Sequence, residues 1–150
     1  MTLKDLENYL HENIPISKAM GITALEVSKN KVTLQANFKK NINHKKTAFG
    51  GSLHAVCALS CWSLLYVNLE QFQPCEIIIA QSNVNYLAPV TEDFKAICTF
   101  PEKADWDKFL KAFVSKKKGR IALKSQIYQK EQLAVEFTGV FAAIVPISKC

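Results

Sequence analysis

A polar loop followed by two adjacent glycines contains the residues of this chain best suited to chemistry. The loop runs from Asn43 to Ser52 and reads Asn-His-Lys-Lys-Thr-Ala-Phe-Gly-Gly-Ser. An apolar helix is predicted to follow, and the first turn of a helix presents unpaired N–H groups and a positive dipole end. Because glycine has no Cβ atom, Gly50 and Gly51 allow close approach to that backbone. The pattern is typical of a site that polarises a carbonyl oxygen, and equally of a tight loop that only starts a helix.

Other polar residues of the loop are candidates for the same site. His44 has the chemistry of a general base, although a solvated role in a lysine-rich loop is the simpler interpretation. Thr47 can hydrogen-bond either the loop or a ligand, and Ser52 is most simply a helix cap. His54, within the predicted helix, is expected to be a core or interface histidine.

A predicted strand after the helix carries three polar residues, Ser82, Asn83 and Asn85, in an otherwise apolar run. Buried polar groups need hydrogen-bond partners. These side chains therefore either line the site or make a contact between two copies of the chain, and the sequence favours neither alternative.

The hydrophobic pattern predicts the elements that position these residues. Apolar residues recur at helical spacing in two segments, alternate with polar ones in others, and are nearly continuous in a third helix. A helix that is apolar on nearly all sides has to be enclosed, and a sheet of about six mostly antiparallel strands is the predicted enclosure. The predicted helices are 3–14, 53–70 and 104–118, the last ended by Gly119; the predicted strands are 21–28, 31–38, 75–87, 94–100, 121–127 and 133–145. This is an α+β fold with one helix before the sheet and one inserted among its strands.

The composition predicts one globular domain over residues 1–150. Apolar residues make up 49% of the chain, which is enough for a buried core. The charged N-terminus lacks the apolar region of a signal peptide, and polar residues interrupt the longest apolar stretch. We therefore expect a cytoplasmic protein without a membrane partner.

Five cysteines show no spacing typical of a zinc site, so no metal is predicted. We expect free thiols, mostly at small apolar core positions. The cysteines are Cys57, Cys61, Cys75, Cys98 and Cys150.

The net charge of +6 suits an anionic partner. The densest cationic cluster, Lys116 to Arg120, is a candidate for binding phosphates, and a solvated helix end is the plainer explanation. No helix-turn-helix, zinc-finger or RNA-recognition motif is present, so nucleic acid is not the expected partner.

Several motifs together resemble the hotdog-fold acyl-CoA thioesterases, and more narrowly the thioesterase family typified by the C-terminal domain of YiiD. The motifs cover nearly the whole chain, and the most specific are the Phe-Gly-Gly-Ser-Leu and Tyr-Leu-Ala-Pro-Val blocks. They are Thr47-Ala48-Phe49-Gly50-Gly51-Ser52-Leu53, Trp62, Asn85-Tyr86-Leu87-Ala88-Pro89-Val90, and the Trp106 helix that leads to Lys118-Gly119-Arg120.

The resemblance implies a role for several residues. Asn43 stands where these thioesterases place an asparagine that positions water or the thioester. Gly51, with Gly50 beside it, stands at the oxyanion-binding glycine. Phe49 replaces the histidine of the wider motif, and Ala58 stands where many relatives carry an aspartate or glutamate base. The base is therefore not identified.

The resemblance implies hydrolysis of an acyl-CoA or acyl-carrier thioester, with coenzyme A as part of the substrate and no separate cofactor. The missing helix carboxylate favours an alternative, a module of the same fold that binds acyl-CoA without cleaving it. A dehydratase is disfavoured because Phe49 replaces the histidine. The fold also implies a homodimer or larger homo-oligomer, since pairing would cover the long predicted strand 75–87.

Overall fold

The computed structural model describes residues 1–147, in which a six-stranded sheet curls around one helix. Strand neighbours are antiparallel throughout, in the order β1-β2-β4-β5-β6-β3. This confirms the predicted hotdog arrangement. The elements are α1 (Leu3–Asn13), α2 (Pro15–Ala19), β1 (Thr23–Val27), β2 (Lys31–Ala36), α3 (Gly50–Asn68), β3 (Glu76–Tyr86), β4 (Phe94–Thr99), α4 (Lys103–Lys116), β5 (Lys118–Gln129) and β6 (Gln132–Ile144).

The central helix α3 is the apolar axis of the fold. It is long and apolar enough to span a membrane by length and composition alone, but it packs against strands β2 to β6. Its buried residues lie around most of its circumference, as expected for an enclosed helix. The largest fully buried aromatic side chains, Phe94, Phe113, Phe137 and Phe141, come from the surrounding elements.

The long strand β3 lies at the edge of the sheet. It pairs with β6 on one side only, and most of its residues are exposed. Its pairing register shifts between Ile79 and Gln81, which marks a β-bulge. A bulge changes which residues face the core beyond it, and here it determines the direction of Ser82.

The end of helix α4 differs from the prediction. Lys117, not Gly119, adopts the left-handed conformation that ends the helix, with φ of 60°. Gly119 belongs to strand β5, where a Cβ atom would come within 3.0 Å of the Phe109 carbonyl oxygen. The glycine is therefore explained by close packing of α4 against β5 and not by helix termination.

The described cysteines confirm the predicted free thiols. Cys57, Cys61 and Cys98 are buried and Cys75 is half-buried; Cys150 lies outside the described residues. Burial raises the pKa of Cys57 to about 12 and that of Cys61 well above its usual value. These two thiols thus remain protonated and serve as core side chains.

Two buried hydroxyl groups link α3 to β5 inside the core. Ser60 Oγ donates to the Cys57 carbonyl oxygen at 2.7 Å and lies 2.7 Å from Ser125 Oγ. Since Ser60 has a single proton, Ser125 is the donor of the second bond. The two serines thus have different roles: Ser60 both donates and accepts a hydrogen bond, whereas Ser125 donates to Ser60.

We predict that Ser60→Ala destabilises the protein by about 1–3 kcal/mol, since it leaves the Ser125 hydroxyl without that acceptor. Ser125→Ala should cost less, because Ser60 keeps its bond to Cys57. The double variant should cost less than the sum of the two. Urea unfolding of the three variants measures this, and equal effects of the two single variants would contradict the assignment of donors.

Candidate active site

The start of helix α3 presents two unused backbone donors. Phe49 is the N-cap residue, with φ of −62° and ψ of 132°, and its side chain makes no cap hydrogen bond. The N–H groups of Ser52 and Leu53 both donate to the Phe49 carbonyl oxygen, at 2.9 and 3.1 Å. Within residues 1–147, the N–H groups of Gly50 and Gly51 have no acceptor. Both N–H groups are therefore available to donate to a ligand.

Two predictions about this segment need correction. The helix begins at Gly50, three residues earlier than expected, because the glycines form its first turn. Ser52 is consequently the third residue of the helix and not its cap, and its own N–H is already bonded to Phe49.

Asn43 organises the loop that leads to the helix. Its Oδ1 accepts hydrogen bonds from the N–H of Lys45 at 2.9 Å and of Thr47 at 3.1 Å. Its Nδ2 donates to Thr47 Oγ1 at 2.9 Å, and its backbone N–H donates to the Thr47 carbonyl at 2.8 Å. The Asn43 amide is thus engaged within the loop, with one Nδ2 hydrogen left for another partner. His44 lies exposed on the same loop.

Two main-chain bonds fix the loop against its surroundings. Ala48 N–H donates to the Val90 carbonyl at 2.8 Å, and Phe49 N–H donates to the Asn41 carbonyl at 2.7 Å. The Phe49 side chain is 56% exposed and folds over Gly51, where a Cβ atom would come within 2.4 Å of its ring. Glycine is therefore required beneath the ring in this conformation.

Strand β3 contacts α3 near that start through two side chains. Tyr86 donates its hydroxyl proton to the Gly50 carbonyl at 3.0 Å, and partial burial raises the pKa of Tyr86, which keeps it a donor. Ser82 Oγ lies 2.9 Å from His54 Nε2. The β-bulge allows Ile77 and Ile79 to share the inner face of the sheet with these residues.

Asn83 and Asn85 alternate with the residues that face α3, so they point to the outer face of the sheet. They lie opposite Thr138 and Glu136 of strand β6. The structure thus brings Ser82 to the central helix and places these two asparagines on the other side of β3.

Two cavities flank the central helix. The smaller, of about 270 Å³, lies beside the helix start and is lined by Ala48, Gly50, Leu53 and residues 86–90. The larger, of about 450 Å³, is an apolar groove between α3, β3 and helix α2. Ala58, at the position where the resemblance implies a carboxylate, lines this groove, and none of the other groove residues is acidic.

The basic cluster Lys116 to Arg120 lies at the far end of the sheet from this site. Lys118 is level with Ile144 and Glu76, whereas Tyr86 is level with Val135. Ten residues of strand separate those two levels, or roughly 30 Å. Within one protomer, the structure does not bring the cluster and the helix start together.

Comparison with known proteins is consistent with this architecture. Residues 3–145 match the model of a family described as "Putative thioesterase (yiiD_Cterm)". A protein of unknown function from Chlorobaculum tepidum is 30% identical, with a TM-score of 0.89, covering 95% of this chain and 94% of that one. A thioesterase-like structure from Shewanella oneidensis is 24% identical, with a TM-score of 0.81, covering 95% and 97%.

More distant solved structures share the fold. A thioesterase from Haemophilus influenzae is 14% identical, with a TM-score of 0.76, covering 96% of this chain and 91% of that chain. The fold and the family match agree over nearly the whole length. The chain therefore belongs to the YiiD C-terminal thioesterase family.

Sequence reasoning missed the partner of His54. The pattern placed this residue on the central helix but gave no reason to pair it with Ser82, 28 residues away. His54 and Ser82 contact each other only because β3 pairs with β6 and bulges at Ala80. The available signal was Ser82 itself, a polar residue in an otherwise apolar strand, but the sequence did not show the bulge that turns it toward α3.

We predict that Asn43→Ala loosens the loop and that Asn43→Asp does not. Alanine removes the acceptor for the N–H groups of Lys45 and Thr47, whereas an aspartate oxygen retains it. Hydrogen exchange at these two amides should accelerate roughly tenfold or more in the alanine variant, a loss of about 1.4 kcal/mol of local protection. Equal protection in both variants would show that the loop is held by other bonds.

Proposed function

We propose that this chain hydrolyses acyl-CoA thioesters and that the backbone at the start of α3 stabilises the oxyanion. The observation that carries the proposal is the pair of unused N–H donors at Gly50 and Gly51. Donors held in place before the reaction stabilise developing charge at no reorganisation cost. The dipole of a 19-residue helix adds to the attraction for negative charge.

The apolar groove supports an acyl group as the occupant beside that site. Its lining residues on α3, Ala55, Ala58, Leu59 and Trp62, lie about one to three turns after the helix start. Its volume of about 450 Å³ falls within the usual range of ligand sites. A hydrocarbon chain would thus be placed along α3 while its thioester carbonyl points to the glycines.

A second copy of the chain is the partner we propose for strand β3. The opposite edge strand, β1, has five residues and is packed against α1, whereas β3 has eleven and exposes Ile78 and Ile79. A long apolar edge is usually covered. Antiparallel pairing of β3 with its own copy about a two-fold axis covers it with an isologous contact.

That pairing also gives the basic cluster a function. An antiparallel partner strand reverses direction, so its Glu76 end lies beside Tyr86 of the first protomer. Lys118 of the partner subunit is level with that end. Its charges, with those of its neighbours in the cluster, would then attract the phosphates of a coenzyme A whose thioester is bound at Gly50 and Gly51.

The absence of a carboxylate around Ala58 favours one alternative, a module that binds acyl-CoA without cleaving it. The two functions differ in one measurement. Incubation with a panel of acyl-CoAs, followed by free-thiol detection, shows thiol release only for the hydrolase. Retention of intact acyl-CoA in a gel-filtration complex would establish the binding module instead.

We predict that Gly50→Pro lowers kcat by about 100-fold, the usual effect of losing one oxyanion donor. Proline is compatible with the first helical position, and the extended Phe49 backbone is what a residue before proline adopts. Gly50→Ala is the matched control. Its Cβ would lie 3.6 Å from Tyr86, an ordinary contact, and its N–H remains.

The control variant should retain activity within a few-fold, and both variants should melt within a few degrees of the wild-type protein. Free-thiol release under saturating acyl-CoA measures kcat. Full activity in Gly50→Pro would remove this N–H from the mechanism.

We predict that two impaired variants restore each other when mixed. In Lys118→Glu/Arg120→Glu, coenzyme A binding is weakened; in Gly50→Pro, oxyanion binding is weakened. A mixed dimer contains one site with intact glycines and an intact basic cluster from the partner subunit. Activity at low substrate should therefore rise after subunits exchange, and no increase would indicate that the cluster does not act across the dimer.

A further inference from the structure

The hydrogen-bonded pair His54 and Ser82 lies beside the proposed oxyanion site. His54 is four residues after Gly50, so it lies one turn further along the same helix face, at an axial rise of about 6 Å. Side chains on a helix lean toward its N-terminus. This lean directs the His54 side chain toward the turn that contains Gly50 and Gly51.

The ring of His54 is held from two sides. Ser82 Oγ lies 2.9 Å from Nε2, and Phe137 packs against the ring edge-on, with centroids 5.4 Å apart. The ring is half-buried. Within residues 1–147, the bond to Ser82 is its only hydrogen bond. If Nε2 donates to Ser82, Nδ1 carries the lone pair and can accept a proton.

We propose that His54 is the general base of the hydrolysis and that Ser82 is a positioning residue for its ring. This inference rests on the proposed function. It identifies a base in place of the carboxylate that relatives carry at the position of Ala58. Each residue then has one role. Ser82 orients the imidazole, His54 accepts the proton, and the backbone N–H groups of Gly50 and Gly51 bind the oxyanion.

The reaction balances with water as the second substrate. Nδ1 of His54 takes a proton from water while the water oxygen attacks the thioester carbonyl carbon. The carbonyl oxygen becomes an oxyanion held by the N–H groups of Gly50 and Gly51. Collapse of this intermediate breaks the carbon–sulfur bond, and the proton passes from His54 to the departing thiolate, leaving a carboxylic acid and a thiol.

Ser82 is less suited to act as the nucleophile itself. A histidine that activates a serine is normally oriented by a third group on its other nitrogen. No residue between 1 and 147 fills that position. The same hydrogen bond is sufficient if Ser82 is the orienting group, since His54 then has a fixed ring and a free nitrogen.

His44 and Cys57 are poorer candidates for the base. His44 is exposed on the loop, and no side-chain bond to another part of residues 1–147 orients it. The Cys57 thiol is buried in the core, away from any surface. His54 lies one turn after Gly50 on the same helix, and its imidazole contacts the strand that flanks the glycines.

The test compares kcat and KM of the wild-type protein with those of four variants, by free-thiol release from an acyl-CoA that the wild type cleaves. His54→Gln keeps a hydrogen-bonding side chain but no base, and should lose about 100-fold or more in kcat with little change in KM. His54→Ala should lose as much and regain activity with added imidazole. Ser82→Ala should lose roughly tenfold in kcat, and Ser82→Thr should restore it.

The matched control is Ser115→Ala, which removes a hydroxyl bonded only to the Lys111 carbonyl on α4 and should leave kcat unchanged. If the wild-type protein cleaves the thioester and His54→Gln is equally active, this inference is wrong and the proposed function is unaffected. An acyl group trapped on Ser82 and detected by mass spectrometry would also overturn it, because Ser82 would then be the nucleophile. Absence of any wild-type cleavage would overturn both the inference and the proposed function.

Discussion

Enclosure of α3 is the physical constraint on which the rest of this structure depends. The helix is apolar on most of its circumference, so exposing any side of it to water costs free energy in proportion to area. A sheet that curls around it removes much of that area and leaves one side of the helix facing the apolar groove. The sheet cannot cover the ends of the helix, however, and the first turn at Gly50 and Gly51 remains open. The start of this apolar helix is thus a polar site, because within residues 1–147 its first backbone donors stay unpaired.

The identity of the cap residue keeps those donors unpaired. A serine, threonine or aspartate at the N-cap normally accepts a hydrogen bond from the second or third N–H of a helix, which is worth about 1 kcal/mol. Phe49 has no acceptor in its side chain, and the helix has no acidic residue in its first turn. The chain gives up that stabilisation, and two N–H groups remain available to a ligand. The Phe49 ring over Gly51 adds an apolar wall beside them.

Local patterns were sufficient to predict much of the fold. Alternation identified β2 and β5, helical spacing identified α1 and α4, and nearly uniform apolarity identified α3 as the enclosed helix. Boundaries decided by single-residue conformations were not predictable. Lys117, not Gly119, adopts the left-handed conformation after α4, because Gly119 is needed where β5 packs against Phe109.

The candidate site was predictable only in part for the same reason. The glycine pair and its loop are contiguous in sequence, so backbone reasoning and family resemblance both identified them. Ser82, Asn83 and Asn85 are close together in sequence as well, but the direction of each side chain depends on the register of β3 against β6 and on the bulge at Ala80. One residue more or less at the bulge exchanges the inward and outward sets. No local pattern reveals that choice.

The proposed position of the general base, at His54, is consistent with the shape of the groove. A carboxylate at Ala58 would face the apolar residues of α2 and β3, where its charged form is disfavoured unless it is paired. An imidazole one turn nearer the helix start, at position 54, can meet a polar partner from the edge strand instead. It also carries no negative charge that would repel an oxyanion at Gly50 and Gly51. An imidazole base at position 54, in place of a carboxylate at position 58, thus leaves the acyl-binding groove apolar. Ser82 on the edge strand provides the hydrogen-bond partner that this imidazole needs.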